Sequence, residues 1–205
     1  MSSVLDDIFA LYRREGSRAY GPERLSQLQH GLQCARNAER FGAGADMIAA
    51  ALLHDYGHLV GTDDDDLLRL GAHTWHAAVG ARLLARSFPP AVTEPIRLHV
   101  AAKRHLCATD HDYFQTLSPG SLLTLKQQGG LLTPAESRSF LAEPFARAAM
   151  LLRRWDDMAK DPAAETPDLD YFRPHVSEAL AGAGDMARGE DFRRALWPAR
   201  ARHRG

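Results

Sequence analysis

The sequence predicts an all-α fold, and three observations support that prediction. Apolar residues recur with the helical period along most of the 205 residues, and no stretch alternates as a half-buried strand does. Several Gly and Pro residues fall between these segments, where they start or stop helices. Hydrophobic residues make up 45% of the chain and charged residues 25%, as in ordinary globular domains. We expect residues 1–205 to form a single domain with a frayed basic tail at residues 199–205.

The composition excludes several functional classes. A net charge of −1 provides no field for nucleic acid or membrane surfaces. No stretch approaches the length of a membrane span, and the acidic N-terminus does not resemble a signal peptide. Cys34 and Cys107 lie in apolar patterns and form no disulfide framework. We therefore expect a cytoplasmic protein without nucleic-acid or membrane partners, and its oligomeric state stays open.

Caps and apolar faces predict the first three helices. Val4 to Arg14 forms the first helix, with Ser3 as its cap. A turn leads into the second helix, which we place with Pro22 in its first turn. The third helix starts near residue 45 and runs into His54-Asp55-Tyr56-Gly57-His58.

Further helical segments follow, divided by Pro and Gly. They are predicted at residues 73–86, 90–106, 118–128, 133–143, 145–159, 169–180 and 192–197. The four aspartates at residues 63–66 are interpreted as a solvated loop, because the spacing and glycine of an EF-hand are absent.

The adjacent pair His54-Asp55 ends an apolar helical run, and His58 follows one turn later. An imidazole beside a carboxylate offers a metal one nitrogen and up to two oxygens, and the carboxylate can bridge two metals. The same residues also suit an ordinary helix end, with Gly57 as the stop and His58 where positive charge is favoured. The rest of the chain has to decide between these interpretations.

Other histidine and aspartate side chains occur within apolar helical faces, where an unpaired polar group is costly. They are His30, His76, His99 and Asp157. Each alone is typical of a satisfied core residue. Five helices that each place such a side chain inward can surround one interior point of a bundle.

The order of these residues resembles the HD-domain superfamily of metal-dependent phosphohydrolases and their oxygenase relatives. The resemblance covers residues 30–157 and implies a dinuclear site. It implies that one metal is held by His30, His54, Asp55 and Asp157 and the second by His76 and His99, with Asp55 bridging. Such ligands accept iron, manganese, zinc or nickel.

Three polar residues near these ligands suit an anion. Lys103 shares a helix face with the histidine four residues before it, and Ser121 lies near a helix start, where free N–H groups favour negative charge. Arg154 lies three residues before an expected ligand. Together they predict a pocket for a phosphate or phosphonate group. Surface charge is the alternative for Lys103 and Arg154, and either Arg153 or Arg154 must point away from the apolar face.

Tyr20 and Glu23 precede the first histidine in a turn that a generic hydrolase does not need. They resemble the substrate-contacting pair in an HD branch of mixed-valence diiron oxygenases, which includes 2-amino-1-hydroxyethylphosphonate dioxygenase. Four further segments carry the same resemblance, at residues 27–35, 99–104, 127–130 and 153–157. The resemblance implies two iron ions, Fe(II) and Fe(III), and cleavage of a C–P bond with O2 to give a carboxylate and phosphate.

The expected substrate is a 1-hydroxy-2-aminoethylphosphonate, cleaved to glycine plus phosphate, or its trimethylated form, cleaved to glycine betaine plus phosphate. The Glu23 carboxylate suits the positively charged nitrogen of either substrate. The Tyr20 ring can contact that nitrogen through a cation–π interaction, which also accepts the trimethylated form. His58 is expected to contact substrate oxygens or a metal-bound water, with helix capping as its alternative. The competing functions are an HD phosphohydrolase of a nucleotide or phosphate monoester and a non-catalytic metal-binding module. A hydrolase of anionic substrates gains nothing from Glu23.

Overall fold

The structure is a computed structural model that describes residues 3–20, 23–60 and 75–182. Within these ranges it contains ten α-helices and two 3₁₀ turns, so the all-α prediction is confirmed. The helices are α1 (Val4–Glu15), α2 (Gln27–Arg40), α3 (Ala45–Leu53), α4 (Trp75–Leu84), α5 (Pro90–Thr109), α6 (His111–Gln115), α7 (Pro119–Gln127), α8 (Pro134–Leu141), α9 (Ala146–Met158) and α10 (Arg173–Ala181). The 3₁₀ turns are Tyr56–His58 and Asp170–Phe172. No helix in the described ranges is both long and apolar enough to cross a membrane.

Most helix starts follow the capping residues in the sequence. Ser3, Ser118 and Thr133 accept hydrogen bonds from the first turns of α1, α7 and α8, as predicted. The start of α2 was predicted too early, because the helix begins at Gln27 with Ser26 as its cap. The expected acidic loop, the piece at residues 192–197, the basic tail and the start of the helix at residue 73 lie outside the described residues.

The core surrounds α3, which contributes the fully buried residues Ala49 to Leu53. This helix packs against α2, α5 and α10, while α5 also packs against α4 and α9. Tyr12 of α1 donates a 2.7 Å hydrogen bond to the carbonyl oxygen of Leu52. The C-terminal end of α3 is therefore held inside the bundle, and the chain continues from it directly into His54.

Candidate metal centre and anion pocket

The first group of possible ligands joins α2 to the end of α3. Ligand atoms of His30, His54 and Asp55 all lie within 4.8 Å of one another. The Nδ1 atoms of the two histidines lie 2.8 Å from the carbonyl oxygens of Ala159 and Ala51, which accept hydrogen bonds only from protonated Nδ1. The two Nε2 atoms therefore present lone pairs to each other across 3.1 Å. Two facing lone pairs repel unless a cation lies with them, so the residues fit a metal ion.

A second group lies beside the first. Ligand atoms of Asp55, His76 and His99 also lie within 4.8 Å of one another. The Nε2 atoms of the two histidines are 3.3 Å apart, and Nδ1 of His99 lies 2.7 Å from the carbonyl oxygen of Ile96. This hydrogen bond leaves Nε2 of His99 as a metal-binding nitrogen.

Asp55 is shared by the two groups. Its Oδ2 atom lies 3.9 Å from Nε2 of His30 and 3.5 Å from Nε2 of His54. Its Oδ1 atom lies 3.7 Å from Nε2 of His76 and 3.9 Å from Nε2 of His99. Each oxygen faces a different histidine pair, which is the arrangement of a carboxylate that bridges two metals in a dinuclear His/Asp site.

The protonation states suit metal binding, which requires neutral imidazoles and ionised carboxylates. Burial lowers the pKa of His76 well below its usual value and lowers the pKa of His99 to about 4. Burial alone would raise the pKa of Asp55, but the attraction of His54 and the other histidines outweighs it and holds that pKa far below its usual value.

The carboxylate that joins the first group is Asp156, which corrects the predicted Asp157. Oδ1 of Asp156 lies 3.4 Å from Nε2 of His30, and Oδ2 lies 3.7 Å from Nε2 of His54. The Asp156 residue is only 2% exposed. Burial would raise its pKa, but Arg153 and His30 hold the pKa of Asp156 well below its usual range.

Asp157 is committed to other partners. Its Oδ1 accepts hydrogen bonds from Nη2 of Arg153, from Oγ of Ser121 at 3.0 Å and from Nζ of Lys160 at 2.8 Å. Its Oδ2 accepts from Nε of Arg153 at 2.8 Å and from the Tyr113 hydroxyl at 2.5 Å. Five donors fill the roughly four lone-pair sites of a carboxylate, so Asp157 has no free position for a metal.

The arginine of this region is also shifted by one residue. Arg153 is buried and donates from Nη1 to Oδ2 of Asp156 at 2.5 Å. Arg154, which the sequence predicts at the site, instead pairs with Asp110 at 2.7 Å, and both side chains are about one-third exposed, at 37% and 31%. The helix turns about 100° per residue, so only one of two adjacent arginines can face the interior.

Lys103 and Ser121 complete a cationic pocket beside Asp156. Lys103 is 2% exposed, and its Nζ donates to Oγ1 of Thr124 at 2.8 Å. Burial and the nearby Arg153 lower the pKa of Lys103 to about 7. Ser121 lies in the first turn of α7 and accepts a 2.6 Å hydrogen bond from Lys160. We call Lys103, Ser121, Arg153, Asp157 and Lys160 the anion pocket.

Tyr20 lies over the first ligand group. Its ring stacks on His30, with centroids 3.7 Å apart and planes inclined by 16°. Its hydroxyl donates to Oδ1 of Asp156 at 3.4 Å. Glu23, three residues further along, accepts a 2.8 Å hydrogen bond from Oγ of Ser118, the cap of α7. Tyr20 therefore contacts the first ligand group, and Glu23 contacts the start of the helix that carries Ser121.

His58 lies beside the second ligand group. Its ring stacks on His76 at 4.2 Å and meets the Trp75 ring edge-on at 5.9 Å. Gly57 makes this packing possible, because a Cβ atom there would lie 2.1 Å from the carbonyl oxygen of His76. The glycine predicted as a helix stop thus allows the turn to contact α4.

Sequence reasoning missed five contributors: Tyr113, Thr124, Arg153, Asp156 and Lys160. Lys160 follows Asp156 by four residues, just past the end of α9, which is a usable signal. Thr124 likewise follows Ser121 by three residues. Tyr113 lies in the short helix α6, in a segment where no helix was predicted. The signal for its helix is Asp110, whose side chain accepts a hydrogen bond from the backbone N–H of Tyr113.

Comparison with known proteins agrees with this site. The HD domain profile matches residues 28–161, so the chain belongs to the HD-domain family, as its resemblance predicted. A hydroxymethylphosphonate dioxygenase from Gimesia maris is 44% identical over 174 residues, covering 84% of this chain and 86% of the relative. A [1-hydroxy-2-(trimethylamino)ethyl]phosphonate dioxygenase (glycine-betaine-forming) from Leisingera caerulea is 35% identical over 178 residues, covering 87% and 91%. Homologues of this HD-domain chain are thus phosphonate dioxygenases.

Proposed function

We propose that the protein is an iron-dependent oxygenase that cleaves the C–P bond of a 1-hydroxyphosphonate with O2. The observation that carries this proposal is the contact between the two parts of the site. Arg153 donates to Asp156, the carboxylate beside His30 and His54, and it also lies in the anion pocket. A phosphonate held in that pocket would lie next to the metal ligands.

The two named relatives support the substrate class. Both of their substrates carry a hydroxyl group on the carbon that is bonded to phosphorus. Since that unit is common to them, we expect the same unit to be recognised here. Addition of O2 to such a compound gives one carboxylic acid and one phosphate, with the C–P bond and the C–H bond at that carbon broken. Hydroxymethylphosphonate would give formate, and the 2-amino compound would give glycine.

Different residues of this chain would bind different parts of the substrate. Lys103 and Arg153 would donate hydrogen bonds to the phosphonate oxygens, and their positive charges favour an anion. Ser121 would donate to the phosphonate in place of its present hydrogen bond to Asp157. His58 would hydrogen-bond the 1-hydroxyl group beside the second ligand group. Tyr20 would exclude water from the first ligand group. Two iron ions, an Fe(II)/Fe(III) pair in this proposal, would supply the oxidising chemistry that uses O2.

The group beyond the hydroxylated carbon distinguishes two candidate substrates. We propose a 2-amino or 2-trimethylammonio group whose positive charge faces Glu23, giving glycine or glycine betaine. The second candidate is hydroxymethylphosphonate, which has no such group and is favoured by the 44% identity to the Gimesia maris enzyme. The hydrogen bond from Ser118 to Glu23 also favours the second candidate, because it already occupies one oxygen of the carboxylate.

The test is oxygen uptake by the iron-loaded protein with phosphate release measured in the same reaction. The three compounds are offered separately: hydroxymethylphosphonate, 2-amino-1-hydroxyethylphosphonate and its N-trimethyl form. One phosphate for each O2 consumed is expected with at least one of them. Phosphate released from a nucleotide or phosphate monoester without oxygen uptake would contradict the proposal and identify a phosphohydrolase.

The Glu23→Gln variant distinguishes the two candidate substrates, since it removes the charge and keeps the shape. If an amine is the substrate, kcat/KM for it falls by about 10-fold or more, as for a lost charged hydrogen bond. Turnover of hydroxymethylphosphonate should then change little. Iron content serves as the control, and loss of iron in this variant would show that Glu23 supports the metal centre instead.

A further inference from the structure

Asp157 has no place in the metal centre, yet its carboxylate accepts five hydrogen bonds beside it. We infer that Asp157 is a positioning residue, which holds Arg153 and Lys160 in the orientation that receives the phosphonate. This inference rests on the proposed function for the identity of the ligand. Its physical argument concerns three interactions that the carboxylate makes.

The first interaction fixes the plane of the Arg153 guanidinium. Nε donates to Oδ2 of Asp157 and Nη2 donates to Oδ1, so the pair is bidentate. A guanidinium bound through these two nitrogens directs its third nitrogen, Nη1, away from Asp157. Nη1 accordingly reaches Asp156 at 2.5 Å. Without the bidentate partner, Arg153 could rotate and pair with Asp156 through two nitrogens.

The second interaction fixes Lys160. A lysine ammonium is a point charge on a flexible stem, so its position depends on its partners. Its Nζ lies 2.8 Å from Oδ1 of Asp157 and 2.6 Å from Oγ of Ser121. Nη2 of Arg153 approaches the same hydroxyl at 3.4 Å. Both cations therefore converge on Ser121, on the side of Asp157 that faces α7.

The third interaction fixes Asp157 itself. The Tyr113 hydroxyl donates to Oδ2 at 2.5 Å from α6, and Ser121 donates to Oδ1 at 3.0 Å from α7. Tyr113 is 4% exposed, and its position is set by the start of α6. The carboxylate is thus held from two other helices, and its orientation does not depend on Arg153 alone.

Two possible roles of Asp157, as a nearby negative charge or as a positioning residue, predict opposite effects on anion binding when its carboxylate is removed. If Asp157 acted only as a nearby negative charge, its removal would strengthen the binding of an anion. If it positions Arg153 and Lys160, its removal would weaken that binding even though the pocket becomes more positive. The sign of the change in anion affinity therefore tests the inference.

The experiment titrates the iron-loaded protein with inorganic phosphate under argon, using isothermal titration calorimetry. The variants are Asp157→Asn, Asp157→Glu and Tyr113→Phe. Asp170→Asn is the matched control, because it breaks an Arg–Asp pair whose side chains are 52% and 58% exposed. We expect Asp157→Asn to weaken phosphate binding by about 10- to 100-fold, as outer partners of binding groups do. Tyr113→Phe should weaken it less, Asp157→Glu should recover part of it, and the control should match the wild type.

Unchanged or tighter phosphate binding by Asp157→Asn would overturn the inference, as would the absence of phosphate binding by the wild type. Loss of iron from this variant would also overturn it, since Asp157 would then support the metal centre. If Asp157→Asn does not fold, Tyr113→Phe decides, because it removes one hydrogen bond without changing charge. Oxygen uptake by the wild type is measured separately, so failure of the dioxygenase proposal does not affect the titration.

Discussion

The ligand groups and the anion pocket are adjacent, yet their side chains are arranged in opposite ways. In the ligand groups, atoms of the same kind face each other: Nε2 of His30 faces Nε2 of His54, and Nε2 of His76 faces Nε2 of His99. In the anion pocket, donors face an acceptor, since Ser121, Arg153 and Lys160 donate to Asp157. The ligand groups therefore need a cation, whereas the hydrogen-bonding groups of the anion pocket already have partners.

The difference indicates which part of the site needs its ligand for stability. Converging lone pairs without donors, as the hydrogen-bonded Nδ1 atoms of His30 and His54 establish for the first ligand group, are rare in protein interiors and mark metal sites. A self-paired cluster can stay formed without an anion and bind one by using its remaining donors. We therefore expect metal removal to loosen the helices of the ligand groups and phosphonate removal to change the structure little.

The largest effect is expected for Asp55→Ala, which removes the carboxylate shared by both histidine pairs. Both metal positions should be lost, because each of its oxygens faces a different pair. Activity should fall by more than about 100-fold, since even outer partners of metal ligands are worth that much. Elemental analysis measures the iron, and retention of two equivalents would contradict the bridging role.

A smaller effect is expected for Gly57→Ala, which acts on the second ligand group alone. The new Cβ atom would lie 2.1 Å from the carbonyl oxygen of His76, so α4 must move. Overpacking of this kind costs about 1–3 kcal/mol, and the metal at the second ligand group should be lost before the metal at the first. Gly44→Ala is the control, because its Cβ meets no atom within 4 Å. Thermal unfolding and iron content are measured, and equal results for both variants would refute the close-packing argument.

Arg153→Ala and Arg154→Ala test the orientation of α9. Arg153 donates to both Asp156 and Asp157, so its loss should reduce kcat/KM by about 10- to 100-fold. Arg154 forms a partly exposed pair with Asp110, so its loss should change kcat/KM by less than about 3-fold. A larger loss of kcat/KM in Arg154→Ala than in Arg153→Ala would show that Arg154 serves the site, as the sequence predicts.

A smaller effect than that of Arg153 concerns pH and Lys103, whose pKa is lowered to about 7 by burial. Its charge is present below that pH and is lost as the pH rises through it, so KM for the phosphonate should increase. Lys103→Met should raise KM by about 10-fold or more below pH 7, and by less above it. The substrate's own ionisation is common to both proteins and cancels in the ratio of their KM values. A ratio that does not change with pH would exclude titration of Lys103.

Most of the metal centre was predictable from the sequence, because polar residues inside apolar stripes have few structural explanations. The structure brings His30, His54, Asp55, His76 and His99 together as the sequence suggested. Helix starts were predictable where Ser or Thr caps precede a Pro, as at Ser118 and Thr133. The helix at residues 111–115 is too short for a periodic pattern, and it was missed.

The one-residue shift in α9 has a physical cause in the sequence. Arginine and aspartate each occur as a doublet there, so a spacing of three residues fits both Arg153 with Asp156 and Arg154 with Asp157. The buried stripe resolves the choice, since Arg153 and Asp156 lie four and seven residues after the fully buried Ala149. Contacts such as Ser118 with Glu23, 95 residues apart, leave no comparable local pattern.

The loop between α1 and α2 is fixed at both ends by backbone hydrogen bonds. Tyr20 donates to Leu25 at 2.9 Å, and Gln27 donates to Arg18 at 2.9 Å. This short stretch carries Tyr20 and Glu23 but none of the histidines of the ligand groups. Under the proposed function, the reaction and the choice of substrate are encoded in separate parts of the gene. Under that proposal, point mutations in a few codons of this stretch can change which phosphonate a descendant enzyme cleaves, while its metal ligands stay the same.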